Sequence, residues 1–157
     1  MAEVIHLRLR RSLSDPVAAP VWPDAVRLQT FSEDRARDVH GLLDLAYASG
    51  GGTVPPFDVW WPALSGDEEY DPDLCFIARD GDDRVVGVAQ CWTTAFVKDL
   101  AVYPDWRRRG LGTALLLHAF GVFQARGATA IDLKVEADNP SGAVRLYERM
   151  EMRHVPS

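Results

Sequence analysis

Cysteine is nearly missing from this 157-residue chain, which has only Cys75 and Cys91. Both lie inside apolar, strand-like runs, so they read as buried free thiols rather than as a disulfide or a metal pair. The four histidines are scattered and show no zinc-ligand spacing, so no metal is expected. No apolar run is long enough to span a membrane, and residues 1–11 lack the pattern of a signal peptide. Cations are in the minority, with 17 Lys and Arg against 23 Asp and Glu and a net charge of −6. That sign argues against nucleic-acid binding, which needs a basic surface. Together these absences predict a cytoplasmic protein with neither a resident cofactor nor a membrane partner. There is also no internal repeat and no low-complexity tract.

The composition that remains is that of a globular α/β chain. An apolar share of 47% and a charged share of 25% are ordinary for a soluble domain, and the length suits one domain with a sizeable core. Residues 4–10 alternate apolar and polar as a strand does. Pro16, Pro20 and Pro23 then mark an extended linker. A second strand is predicted over 26–31. A helix follows from Ser32 to about Ala48, with Val39, Leu42, Leu43 and Ala46 on one stripe, ended by Gly50, Gly51 and Gly52. Residues 53–63 are rich in proline and aromatics and predict a short second helix with a flanking loop. Strands at 74–79 and 85–92 flank a Gly81-Asp82-Asp83 turn, a hairpin signal. A strand at 95–102, an apolar helix at 110–126, a strand at 130–135 and a helix at 140–150 with Pro140 in its first turn complete the pattern.

One junction carries chemistry. Residues 99–117 read as strand, then a basic glycine-rich turn, then apolar helix. Arg107, Arg109, Gly110, Gly112 and Thr113 stand where strand gives way to helix. A helix start leaves backbone N–H groups without partners, and its dipole favours negative charge. Glycines let an anion approach that backbone, and arginines add charge, so the turn suits a phosphate or pyrophosphate. It is not a P-loop, which needs four residues between glycines and then Lys-Ser/Thr. The dinucleotide fingerprint also fails, because it needs three glycines in another spacing.

The run Arg107-x-x-Gly110-x-Gly112 resembles the acetyl-CoA pyrophosphate loop, Arg/Gln-x-x-Gly-x-Gly/Ala, of the GNAT superfamily of acyltransferases. The strand Leu100-Ala101-Val102 and the turn with Pro104 fit the same family. A second block agrees: a strand from Leu133, then Asn139, then a helix with Tyr147 eight residues after the Asn. The resemblance covers residues 26–157. One departure is visible, Glu151-Met152 where the family usually has Gly-Phe.

The resemblance implies a mixed, mostly antiparallel twisted sheet of about six or seven strands with about four helices, its parallel pair splayed at the acyl-CoA site. It implies an N-acetyltransferase that moves an acetyl group from acetyl-CoA to a primary amine of a small molecule or peptide in a ternary complex. A non-catalytic acyl-CoA-binding module is the other reading. Leu100, Ala101, Val102, Arg107, Arg108, Arg109, Gly110, Leu111, Gly112, Thr113, Asn139, Ala143 and Tyr147 are the implied acetyl-CoA-binding positions. Tyr147 matches the family's usual proton donor to the departing thiolate, and it also sits at core spacing with Ala143, Leu146 and Met150. The family's early-strand Glu is absent, because Ala95-Phe96-Val97 opens that strand. Asp99 and Glu136 are the nearest carboxylates, each a base or a structural partner of a nearby Lys or Arg, and water is a third option. His118, inside the apolar helix, reads as a packing residue. Phe57, Trp60 and Trp61 are an acceptor wall, a dimer contact or core.

The chain ends raise a separate expectation. Family domains continue past the tyrosine helix with two more strands, whereas residues 152–157 allow one short strand. Residues 5–13 resemble the closing strand of a preceding domain in tandem members. Residues 1–24 are therefore expected to complete a core of residues 26–157, with the strand at 4–10 lying beside residues 130–135. The filling is either within one chain or by exchange in a homodimer.

Overall fold

The computed structural model describes residues 5–48, 53–137 and 142–156. Its strands are β1 (His6–Ser12), β2 (Arg27–Thr30), β3 (Cys75–Arg79), β4 (Val85–Trp92), β5 (Phe96–Val102), β6 (Ala130–Glu136) and β7 (Arg153–Val155). Its helices are α1 (Ala36–Tyr47), α2 (Phe57–Ser65), α3 (Leu111–Ala125) and α4 (Ala143–Arg149). The strands form one sheet in the order β2-β3-β4-β5-β6-β1-β7. Every pairing is antiparallel except β5 with β6. The mixed fold expected from the sequence is thus the fold observed.

Burial follows the apolar patterns. Strand β4 reads as a nearly unbroken apolar run and is buried almost throughout, as a strand covered on both faces must be. One core lies between the sheet and α3 with α4, and includes Phe76, Leu115, Phe120 and Leu133. The other lies under α1 and α2, and includes Val39, Leu43, Trp60 and Ile77. Helix α3 sends Leu111, Leu115 and Leu116 inward within its first two turns, which fixes its start against the sheet.

Strand β1 lies in the interior of the sheet. It pairs with β6 from His6↔Glu136 to Ser12↔Ala130 and with β7 from Arg8↔Val155 to Arg10↔Arg153. In the structure β1 thus lies between β6 and β7 of its own chain. The strand itself runs two residues later than expected, and Val4 lies outside the described residues. Leu9 and Leu13 enter the α3–α4 core at 3% and 4% exposure. On the opposite face Asp132 accepts hydrogen bonds from Arg8 Nε at 2.7 Å and from Arg10 Nε and a terminal Arg10 nitrogen at 2.7 and 2.9 Å.

Three boundaries differ from expectation. Residues 33–35 form a 3₁₀ turn, so α1 begins at Ala36 rather than at the Ser32 cap. Helix α4 begins at Ala143 after Gly142, whose φ of +77° is left-handed; Pro140 lies outside the described residues, as do Gly50, Gly51 and Gly52. Past α4, Glu151 takes a φ of +65° where the resembling family has glycine, and Met152 still packs into the core at 2% exposure. Backbone geometry survives the departure because the buried Met152 fixes the chain on the far side of the turn.

Deleting residues 1–12 is expected to destabilise the whole domain. Burial of Leu9 alone stabilises by about 1.5–3 kcal/mol, the β6 and β7 ladders would each lose their partner, and Leu13 would lose its tether. Against a net stability of about 5–15 kcal/mol, thermal unfolding should show a Tm lower by roughly 10 °C or more; an unchanged Tm would contradict the placement of β1. A second measurement concerns acid. Hydrogen bonds from Arg10 and Arg8 hold the Asp132 carboxyl below the usual carboxylate range. Its contribution is complete above the unfolded pKa of about 3.9 and is lost as pH falls through the lowered folded value. Asp132→Asn should therefore cost stability at pH 7 and much less near pH 2.

Candidate active site

Strands β5 and β6 pair only at Phe96↔Asp132 and Val97↔Leu133, and then part. The cause lies on the other edge of β5. Gln90 faces Asp99 while Cys91 faces Val97, so Lys98 is an extra residue, a β-bulge. A bulge bends its strand and sharpens its twist, which turns the rest of β5 away from β6. The Tyr103 N–H donates to Val86 O at 2.8 Å, toward β4. Alternation along an extended strand then aims the N–H groups of Val102 and Leu100 the other way, into the gap.

The gap is a cleft of about 790 Å³ that reaches both faces of the sheet. On one side it is walled by the start of α3 and by Leu146 and Tyr147 of α4; on the other it meets Ala46 and Tyr47 at the end of α1. Leu100, Ala101 and Val102 line it, as do Arg107, Arg108, Gly110, Leu111, Gly112, Thr113 and Ala143. Asn139 lies outside the described residues. Arg109 is not in the lining; its guanidinium lies over the Trp106 ring, 4.9 Å from the centroid.

The loop before α3 owes its shape to two left-handed residues, Arg108 at φ +63° and Gly110 at φ +82°. A side chain added at Gly110 would meet no atom within 4 Å, so open space stands over the backbone there. Gly112 differs: a Cβ there would touch Val102 and Leu146 at 3.7 and 3.8 Å, which is ordinary contact. Gly110 is thus a position that the backbone conformation reserves for glycine. Its amide and those at the α3 start, flanked by Arg107 and Arg108, form a cradle suited to a pyrophosphate.

Tyr147 lines the cleft at only 8% exposure, and burial pushes its phenol up to about 12. Glu136 lines the cleft and makes no ion pair among the described residues. Asp99 stands behind the lining, 8% exposed, accepting from Tyr47 Oη at 2.7 Å and from Lys98 Nζ at 2.9 Å. Tyr47 is the site residue that sequence reasoning missed. Burial and the Asp99 charge raise its phenol well above the ordinary value, and Tyr147 is near enough to add to that shift. The only trace in the sequence was a polar-tipped residue beside Ala46, next to an otherwise apolar stripe.

The aromatic segment does not line the cleft. Trp60 and Leu64, four residues apart, face the core under α1, and Trp60 is 5% exposed beside His40. Trp61 packs on Phe31 and Tyr70, and Phe57 packs on His40 and under the Arg37 guanidinium. Of the three readings for Phe57, Trp60 and Trp61, Trp60 takes that of core: helical spacing turns it inward, and the half-buried Phe57 and Trp61 pack beside it. His118 packs edge-on against Phe76, and burial lowers its pKa. Cys75 and Cys91 are buried free thiols. Among the described residues no group of three metal-ligating side chains forms, and no helix is long and apolar enough to cross a membrane.

Comparison with known proteins agrees with this geometry. The chain is 35% identical over 159 aligned residues to a mycothiol acetyltransferase of Clavibacter michiganensis subsp. michiganensis, covering 94% of this chain and 50% of that protein. A shorter match, 42% over 52 residues, links 33% of this chain to 34% of a [ribosomal protein bS18]-alanine N-acetyltransferase of Escherichia coli K12. Among solved structures, a GCN5-related N-acetyltransferase from Sphaerobacter thermophilus superposes with a TM-score of 0.79 at 29% identity, over 96% of this chain and 48% of that one. The chain thus spans about half the length of the full-length relatives it matches. The model of the acetyltransferase (GNAT) family matches residues 37–152, which contain the parted strands, the glycine–arginine loop and Tyr147, and the chain belongs to that family.

Proposed function

We propose that this chain is a catalytic unit that moves an acetyl group from acetyl-CoA to the primary amine of a small molecule or peptide, by direct attack in a ternary complex. The observation that carries the reading is the convergence, in one cleft, of the outward N–H groups of Leu100 and Val102, the Arg107–Gly110 cradle and the buried Tyr147 phenol. Residues 1–24 belong to the same working unit, because β1 supports β6 along the cleft.

The chain's own groups divide the work. The cradle and its arginines hold the pyrophosphate. The free amides of β5 hold the thioester and polarise its carbonyl where negative charge grows. An alkyl ammonium has a pKa near 10 in water, so the amine must lose a proton before attack. Glu136, in the lining and without an ion-pair partner among the described residues, takes that proton. Asp99, engaged by Lys98 and Tyr47, instead fixes the Tyr47 phenol at the end of α1. The departing sulfur receives a hydrogen bond and then a proton from Tyr147. Burial keeps that phenol protonated throughout the physiological range.

Three measurements test this. Tyr147→Phe should lower kcat about 10²-fold or more with little change in acetyl-CoA affinity, since the proton is needed only as the C–S bond breaks. The wild-type rate should show no alkaline loss from this residue below about pH 10–11, given a phenol at about 12. Glu136→Gln should lower kcat/KM about 10²-fold or more at neutral pH; an unaltered value would assign the proton to water.

Gly110→Val should abolish the thermal shift produced by CoA. Its side chain would enter the cradle, and its backbone would resist a φ of +82°. Retention of the shift would contradict the loop assignment. CoA binding without thiol release from acetyl-CoA, across a panel of amines, would identify a binding module instead.

A further inference from the structure

Resting on the transferase reading above, we infer that the acceptor carries an anionic group, a carboxylate or a phosphate, beside the amine that is acetylated. The inference comes from the sheet face opposite α3 and α4. Leu7, Leu9, Leu133 and Val135 point into the α3–α4 core, so the residues between them project from the other face. Register places them in rows: His6 beside Glu136, Arg8 between Lys134 and Val155, Arg10 between Asp132 and Arg153. This face adjoins the acceptor end of the cleft, because His6, Lys98, Lys134 and Glu136 all line it.

The charge there is opposite to that of the chain. The chain carries −6, yet on these rows Arg8, Arg10, Lys134 and Arg153 stand against Asp132 and Glu136 alone. Asp132 is shared by two guanidiniums, and Lys134 and Arg153 are exposed and without ion-pair partners among the described residues. Arg8, on this face, lies over the Phe96 ring at 5.4 Å, and Lys98, in the lining, lies over Trp92 at 6.0 Å while paired with Asp99 at 2.9 Å. Both are held in place by a ring and a carboxylate, which leaves Lys134 as the cation that this face contributes to the lining without an ion-pair partner among the described residues. A cationic cleft edge in a low-dielectric wall attracts and orients an anion. The phosphates of CoA do not account for these groups, because the Arg107–Gly110 cradle belongs to the opposite side of the sheet, at the start of α3. An amine bearing its own anion, held by Lys134, would have its nitrogen directed toward Glu136 and the parted strands.

Three amines on the same two-carbon frame test this on the CoA-loaded protein: ethanolamine, O-phosphoethanolamine and β-alanine. Calorimetry gives binding, and thiol release from acetyl-CoA gives kcat/KM. At least one anionic amine is expected to bind about 10-fold or more tightly than ethanolamine, and the one preferred assigns phosphate or carboxylate. That preference should shrink as salt rises from about 0.05 to 0.5 M. It should fall at least several-fold in Lys134→Gln and, independently, in Arg153→Gln, with Tm recorded for both. Equal binding of the three amines, no measurable binding of any, or a preference unchanged in both variants overturns the inference. If the preference in binding is seen but no amine is acetylated, the inference about the ligand stands and the transferase reading falls.

Discussion

Lys98 is one residue too many for the ladder between β4 and β5, and the active cleft depends on that surplus. Because Asp99 and Val97 take consecutive partners on β4, β5 bends at Lys98 and leaves β6 after two paired residues. In a regular sheet the amides of Leu100 and Val102 would be spent on β6. The parted strands leave them facing a cleft instead. Next to the bulge, Asp99 accepts a hydrogen bond from Tyr47, so the cleft is bordered at this bend by the end of α1.

A sheet opened in its middle must be secured elsewhere. Here β1 performs that task, seated between β6 and β7, with Leu9 and Leu13 in the core and Arg8 and Arg10 closed around Asp132. Buried ion pairs are often weak contributors to stability, because desolvation offsets attraction. This one is half open to water on its arginine side and accepts three hydrogen bonds, so the larger effect is on register. A slip of β1 by one residue would turn Leu9 to solvent and Arg8 to the core. The arginines therefore lock the closing strand from the face opposite α3 and α4.

The loop before α3 was legible because its chemistry is local. Glycine at a left-handed position, arginines beside it and a helix start immediately after are properties of adjacent residues. The position of Tyr147, eight residues after Asn139, is likewise a matter of local spacing. The aromatic segment misled because composition says nothing about direction. Phe57, Trp60 and Trp61 suited a wall or a core equally well until α2 packed Trp60 against α1. Tyr47 escaped notice for the converse reason. Its meaning comes from Asp99, 52 residues away, and no spacing rule links them.

The sequence by itself determined the element pattern and displayed the glycine–arginine turn before α3, since each follows from neighbouring residues. The tertiary structure alone decided which carboxylate lines the cleft and which is held behind it. It also decided where the basic face lies. Asp99 and Glu136 are chemically alike and each has a lysine nearby in sequence. Only the bulge and the pairing of β1 with β6 place one against a buried phenol and leave the other open in the lining. Charges far apart in a chain that is acidic overall become one basic surface only when β6, β1 and β7 lie side by side, because cross-strand register, unlike sequence, sets which side chains share a face.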